Sequence, residues 1–361
     1  MAVQGQYTFD YDRQPYTWLT DARAEAMGRA NMALAGDLRS LATNPAGLAE
    51  MNGVQAYFRH ATPYYLFEQS TFMHAAIGCR LTDRLAFGFR YDQNELKSDR
   101  LTFGDPITGP VESKDPRGVF GAAVAYRVAK DFSIGVAIAN VNLVDKNVAQ
   151  PHLDCSLSNV WNSPITGPVR SSFRISTGLE NIGSARVDRT EYAQRGFVFS
   201  EHYALPVISR TGVAYRVAVH KGWLNDSLPS LAFTTHVQFD DDLTQRYNSA
   251  WRFGGELEVC GILALRAGWY SGSVNDYGHP EANKSDVSAF TYGFGANVPL
   301  AIISGNKWPV TVSLDYTSLP QVSFGTDDLD PFTDKHWERF QSRGLRLGYG
   351  LGPLLKKKPN G

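Results

Sequence analysis

Two histidines, His60 and His74, fall in stretches that read as neighbouring β-strands, and Ser70 stands at the start of the second. A base within reach of a hydroxyl is what acyl transfer requires. Neither histidine has a nucleophile elbow or metal-ligand spacing around it, and His74 shares its face with Phe72, Ala76 and Gly78. That company suits a structural histidine. The run HVQFDDD (236–242) offers oxygen ligands for Ca²⁺, although at a strand end it reads more simply as a solvated acidic turn. The stretch GFGANVPL lacks the following helix that phosphate binding needs. Cys79, Cys155 and Cys260 are odd in number and show no CxxC spacing, so they read as isolated thiols. No catalytic residue, metal site or cofactor is assigned, and the chain is read as a non-enzyme.

The 361 residues carry a net charge of −1, which favours neither nucleic acid nor an acidic partner in bulk. No apolar run reaches the ~18 residues of a membrane-crossing helix. Glycine is plentiful at 33 residues, and aromatics make up 12%, both above the usual globular level. The first residues, Met-Ala-Val-Gln-Gly-Gln, have neither a basic region nor an apolar one. The expectation is an intracellular protein or a mature chain whose signal has been removed.

The strongest signal is alternation. In RLAFGFRYD (84–92), Leu85, Phe87, Phe89 and Tyr91 oppose Arg84, Ala86, Gly88, Arg90 and Asp92. Period two over eight or more residues describes a strand with unlike faces. The same pattern recurs at 54–60, 71–81, 118–128, 132–142, 171–180, 209–219, 231–240, 250–260, 262–271, 289–298, 309–318 and 344–351, giving thirteen strands. No amphipathic helical window competes, so the chain is all-β.

The faces differ in an unusual way. Large apolar residues such as Phe120, Val124, Ile134, Val136, Trp251 and Phe253 lie on one side. The other holds small residues punctuated by charge: Arg90, Arg127, Arg174, Glu180 and Arg216, then Arg252, Glu256, Glu258, Arg266, Asp315 and Arg346. Small residues with opposite charges suit the inside of a closed barrel, and large apolar ones suit lipid outside. Aromatics near strand ends, among them Tyr91, Tyr126, Trp269 and Tyr316, fit an interfacial girdle.

Connections alternate between short (81–84, 129–131, 260–261) and long (93–117, 182–206, 272–287, 318–342). With both 129–131 and 260–261 at the short-turn end, an even number of strands must lie between them, yet five are clear. The missing strand is expected in HLDCSLSNV (152–160), where Leu153, Cys155 and Leu157 alternate with polar residues. The fold expected is therefore a 14-stranded antiparallel transmembrane β-barrel.

The first fifty residues do not read as strand. DARAEAMGRANMALAGDLRSLATNPAGLA (21–49) resembles the N-terminal region of the outer-membrane superfamily that contains the FadL hydrophobic-compound channels and the PorV and PorQ proteins of type IX secretion. The matching residues are Asp21, Ala22, Arg23, Met27, Gly28, Ala30, Ala33, Asp37, Asn44, Pro45, Ala46 and Leu48. STGLENIG (176–183), LPVISRTGVAYRV (205–217) and GGELEVCGILALRAGWYSG (254–272) are similar to later segments of PorV-type chains. SRGLRLGY (342–349) resembles the terminal signal of outer-membrane barrels, with the departure that a tail, GLGPLLKKKPNG, follows it.

The resemblance implies a layout. Residues 1–50 would form a plug, with the turn Asn44, Pro45, Ala46, Gly47 leading out to the wall; 51–351 would form the barrel, and 352–361 a basic periplasmic tail. Asn44-Pro45 also reads as the start of a helical turn, with Pro at its first position. The resemblance further implies a Gram-negative outer membrane and contact with its lipid. The charged lumen points to the PorV-like role, a docking component in protein export with a translocon subunit or secreted cargo as partner. The alternative is a FadL-like channel for hydrophobic small molecules. Neither implies nucleic acid.

Overall fold

The computed structural model describes residues 21–62, 64–65, 68–96, 117–142, 149–163, 168–182, 186–194, 197–204, 207–221, 223, 228–243, 249–275, 284–304, 308–324 and 335–350. The first strands are β1 (Val54–Ala61), β2 (Tyr64–Tyr65), β3 (Glu68–Arg80), β4 (Leu85–Leu96), β5 (Arg117–Ala129) and β6 (Phe132–Asn142). Then come β7 (Ala149–Ser163), β8 (Val169–Ile182), β9 (Arg186–Gln194), β10 (Phe197–Ala204), β11 (Ile208–Val219) and β12 (Leu231–Asp242). The last are β13 (Ser249–Val259), β14 (Leu263–Asn275), β15 (Lys284–Pro299), β16 (Val310–Phe324) and β17 (Lys335–Tyr349).

Fourteen of these form one closed antiparallel wall. Each wall strand pairs with the next in sequence, β8 passes directly to β11, and β1 closes the ring between β17 and β3. The two-residue β2 only extends the edge of β3, and β9 pairs with β10 as a separate hairpin. Closure satisfies the backbone groups that an open sheet edge would leave bare in hydrocarbon. Among the described residues no helix is long and apolar enough to cross a membrane.

Side-chain alternation assigns the two faces. Phe120 is 66% exposed and Leu265 61%, pointing outward, whereas Ala125 (0%) and Ser158 (2%) point inward and are buried. The wall thus turns its apolar side to the surroundings and its small and polar side to itself, the reverse of a water-soluble sandwich. Outward rings form a row across β12, β13 and β14: Phe239 to Trp251 at 4.8 Å, Trp251 to Phe253 at 6.3 Å and Phe253 to Trp269 at 5.5 Å.

The strand hidden in 152–160 is β7, which pairs with β6 and β8 and brings the wall to fourteen. Two of the long connections are shorter than the alternation indicates. β16 and β17 remain paired as far as Phe324 opposite Lys335, inside the stretch 318–342, and β14 with β15 as far as Asn275 opposite Lys284. Alternation records the contrast between lipid and lumen, so it fades where a ribbon passes beyond that contrast while its backbone ladder continues. The stretch 182–206 likewise contains the β9–β10 hairpin. The rest of these connections and the tail 352–361 lie outside the described residues.

At the short-turn end, Cys260 (φ 54°) and Gly261 (φ 63°) join β13 to β14 with both residues at positive φ. That is the backbone of a primed hairpin turn, whose twist matches the strands it joins.

Candidate functional site

The lumen is occupied by residues 21–51, which contact the wall on every side. A short helix, Ala22–Ala26, is capped by Asp21, whose carboxylate accepts the Arg23 N–H at 2.8 Å. A 3₁₀ turn, Leu38–Ser40, is capped in the same way by Asp37 at 2.9 Å from the Arg39 nitrogen. A second 3₁₀ helix, Pro45–Glu50, has Pro at its first position, where its missing N–H costs nothing. Asn44, Pro45, Ala46 and Gly47 are all buried in this turn.

Main-chain groups of the segment bond to inward side chains of the wall. On β15, Thr291 Oγ1 accepts the Gly28 N–H at 2.9 Å and donates to the Ala26 carbonyl at 3.0 Å. On β12, Gln238 Oε1 accepts the N–H groups of Asn31 and Met32, each at 2.8 Å. His236, on the same strand, accepts the Ala33 N–H at 3.2 Å through Nε2 and meets the Ala30 carbonyl at 3.0 Å through Nδ1. Across the lumen, Ser156 on β7 accepts the Ala46 N–H at 2.8 Å. Leu38 and Leu41 lie over Gly78 and Gly88, where the wall has no side chain.

Charges from segment and wall alternate along one connected row. Arg23 meets Glu256 through Nε at 2.9 Å, and Arg266 meets Glu256 at 2.5 Å and Asp315 at 2.7 Å. Asp315 also meets Arg39 at 2.9 Å, Arg39 meets Asp37 at 2.5 Å, and Asp37 lies 3.4 Å from Arg346. Burial alone would raise the Asp37 pKa, but Arg39 and Arg346 outweigh it and hold the carboxyl below the ordinary carboxylate range. Elsewhere Arg59 on β1 meets Glu25 at 2.5 Å, both fully buried. Glu180, Arg210, Asp240 and Arg252 form a further group, with contacts of 3.0, 3.7 and 2.6 Å.

Of the charges named from the sequence, the fold brings Glu256, Arg266, Asp315 and Arg346 together in this row. Arg174 pairs with Glu50, Arg216 with Glu258 at 2.8 Å, Arg127 donates to the Ala49 carbonyl, and Arg90 lies 3.6 Å from Asp92. Sequence reasoning missed Arg39, Arg59 and Gln238, and singled out Asp37 only as part of the N-terminal pattern. It also took 236–242 for a solvated turn, whereas His236, Gln238 and Asp240 are buried in the lumen. Their alternation with outward Val237 was the available signal.

An acyl-transfer role for His60, His74 and Ser70 gains nothing from the geometry. His74 is buried with Nδ1 on Asp92 and its ring 5.6 Å from that of Tyr57. His60 lies opposite Met73, one register step from His74, and the Ser70 side chain lies outside the described residues. Among the described residues no group of His, Cys, Asp or Glu could hold a metal ion.

Neither a family model nor a curated protein matches the sequence. Solved structures do match over nearly the whole chain. The CymD monoaromatic hydrocarbon channel is 10% identical, covering 92% of this chain and 98% of its own, with a TM-score of 0.45. A Pseudomonas aeruginosa FadL homologue is 10% identical over 91% and 97%, with a TM-score of 0.44. The Ralstonia pickettii toluene transporter TbuX is 10% identical over 91% and 98%, with a TM-score of 0.45. The likeness is one of fold.

Replacing Gln238 by leucine keeps its bulk and strands two buried donors, at about 1–3 kcal/mol each. Hydrogen exchange of the Asn31 and Met32 amides should quicken by roughly tenfold or more. Unchanged protection would show that this hold is not used.

Proposed function

We propose that residues 21–51 serve as a plug in an outer-membrane barrel that takes up hydrophobic small molecules without enzymatic chemistry. The layout that goes with this is a plug over 1–50, a wall over 51–351 and a periplasmic tail over 352–361. The supporting observation is an apolar cluster at the long-loop end of the lumen. Ala61, Phe72 and Leu319 face inward and pack together, fully buried. The Arg59 guanidinium lies 5.0 Å from the Phe72 ring centroid and reaches on to Glu25 of the segment. An apolar molecule entering at that end would part this cluster, which adjoins the Arg59–Glu25 ion pair between wall and plug.

The test is equilibrium binding of a fluorescent fatty-acid analogue to the purified barrel. Phe72→Ala removes the dispersion contacts that this ring would offer the ligand and should weaken binding by roughly tenfold. Absence of saturable binding to the unaltered protein would end this reading.

A second reading, a PorV-like docking component in type IX protein export, is favoured by the ion-paired contents of the lumen. Purification from native membranes in mild detergent separates the two. Recovery of a translocon subunit or secreted cargo supports export; a barrel recovered alone with extractable apolar molecules supports uptake.

A further inference from the structure

Among the described residues, the short-turn end of the barrel has two unlike halves. On one, successive hairpins each present an exposed cation: Arg84 between β3 and β4, Lys130 between β5 and β6, Arg170 at the foot of β8, and Lys221 after β11. No carboxylate pairs with any of these four side chains among the described residues. The cations behind them are engaged: Arg80 with Asp83 at 3.1 Å, Arg127 with the Ala49 carbonyl, Arg174 with Glu50, and Arg216 with Glu258 at 2.8 Å. Asp131, beside Lys130, is the carboxylate on this arc with no cation bound to it among the described residues. Among its described residues the other half shows exposed Leu263, Trp308 and Tyr349, and its turn 260–262 carries no charge, although Lys307 and Lys356 to Lys358 belong to the same end by sequence. With a net charge of −1 on the whole chain, the arc is a local concentration and not a property of composition.

Parity settles what the arc can meet. Arg170 and Arg174 alternate with outward Phe173 and Ile175, and Arg216 follows outward Tyr215. Arg170, and Arg84 in phase with buried Ala86, therefore point toward the mouth of the lumen and away from surrounding lipid, while Lys130 and Lys221 stand in the turns at its rim. A polyanion arriving from water along the barrel axis meets them, while a phosphate in the bilayer leaflet meets their apolar neighbours. The spacing adds a second constraint. Two strands separate one cation from the next, about 10 Å at the usual strand spacing. An extended polypeptide covers about 10 Å in three residues.

We infer that this arc is a docking surface for an acidic polypeptide segment lying extended across the mouth, with a carboxylate at about every third residue. That the mouth faces the periplasm rests on the proposed orientation. The binding itself does not, because both ends are open to solvent in a nanodisc.

The experiment uses the full chain in zwitterionic nanodiscs and a fluorescein-labelled dodecapeptide of Glu-Gly-Ser repeats, read by anisotropy. Saturable binding is expected, weakened by salt as exposed charges require. The triple variant Arg84→Gln, Lys130→Gln, Arg170→Gln should lose about tenfold in affinity. A peptide with Gln for Glu should not bind. Absence of binding, or equal binding by the triple variant, overturns the inference. So does loss of peptide binding in nanodiscs containing phosphatidylglycerol, which would give the arc to lipid phosphate. In each case the orientation is judged separately, by protease access in whole cells.

Discussion

Gly268→Val should drive the inner segment off the wall and open a conducting path through the barrel. Gly268, on β14, faces inward, and a Cβ there would lie far inside contact with the Gly28 nitrogen and the Met27 carbonyl carbon. Beside it, a Cβ on Gly254 would fall 2.5 Å from the Met27 carbonyl oxygen. Backbone rests on backbone here, and Gly28 itself is at φ +67°, so no flexible side chain can yield. Overpacking of this kind costs about 1–3 kcal/mol or more. Retreat of the segment also breaks the Gly28–Thr291 bond and pulls Arg23 from Glu256. Those bonds are lost on displacement in either protein, so the overpacking alone sets the change, and roughly 3 kcal/mol of it raises the displaced population about a hundredfold. Single-channel recording in planar bilayers should then show open events that the unaltered barrel lacks. Gly255→Val is the control, since its Cβ would meet nothing nearer than the Ala267 carbonyl at 4.0 Å. Gly135→Val, on the far wall, should act like Gly268→Val, because its Cβ would strike Ala46. Traces for Gly268→Val that match the control would show that the segment does not close the pore.

The wall was legible because each strand separates two unlike surroundings. Leu85, Phe87 and Phe89 against Ala86, Gly88 and Arg90 report lipid on one side and crowded lumen on the other, and that contrast repeats around the ring. The strand at 152–160 needed the parity of the turns as well, because Asp154, Ser156 and Ser158 face others like themselves in a polar lumen. What pairs with what was not legible. Glu256 and Asp315 can be placed on the inner face by counting, but Arg23 and Arg39 reach them from 233 and 276 residues away. Only the threading of the inner segment brings such groups together. His236 and Gln238 illustrate the same limit. Their bonds go to main-chain groups of residues 30–33, and backbone amides have no sequence signature.

Glu256→Gln should loosen the inner segment as strongly as any single polar substitution in this lumen. Glu256 is buried between two guanidinium groups, Arg23 of the segment and Arg266 of the wall. The amide keeps the shape but leaves two buried cations with one carboxylate, Asp315, near Arg266. Removing one partner from a buried pair costs about 3–5 kcal/mol, much of it the penalty of the charge left behind. Glu258→Gln provides the contrast, since its partner Arg216 is 39% exposed and water screens the pair. An exposed pair of that kind is worth less than about 1 kcal/mol. Limited trypsin digestion reads the outcome directly, because Arg23 and Arg39 can be cut only after the segment leaves the wall. Cleavage there should be much faster in Glu256→Gln than in Glu258→Gln, and adding Arg23→Gln should slow cutting at Arg39 again by removing a stranded cation. Equal rates in the two single variants would mean that the segment is held by its main-chain bonds to Thr291, Gln238 and Ser156, with the charge row serving only to neutralise the wall.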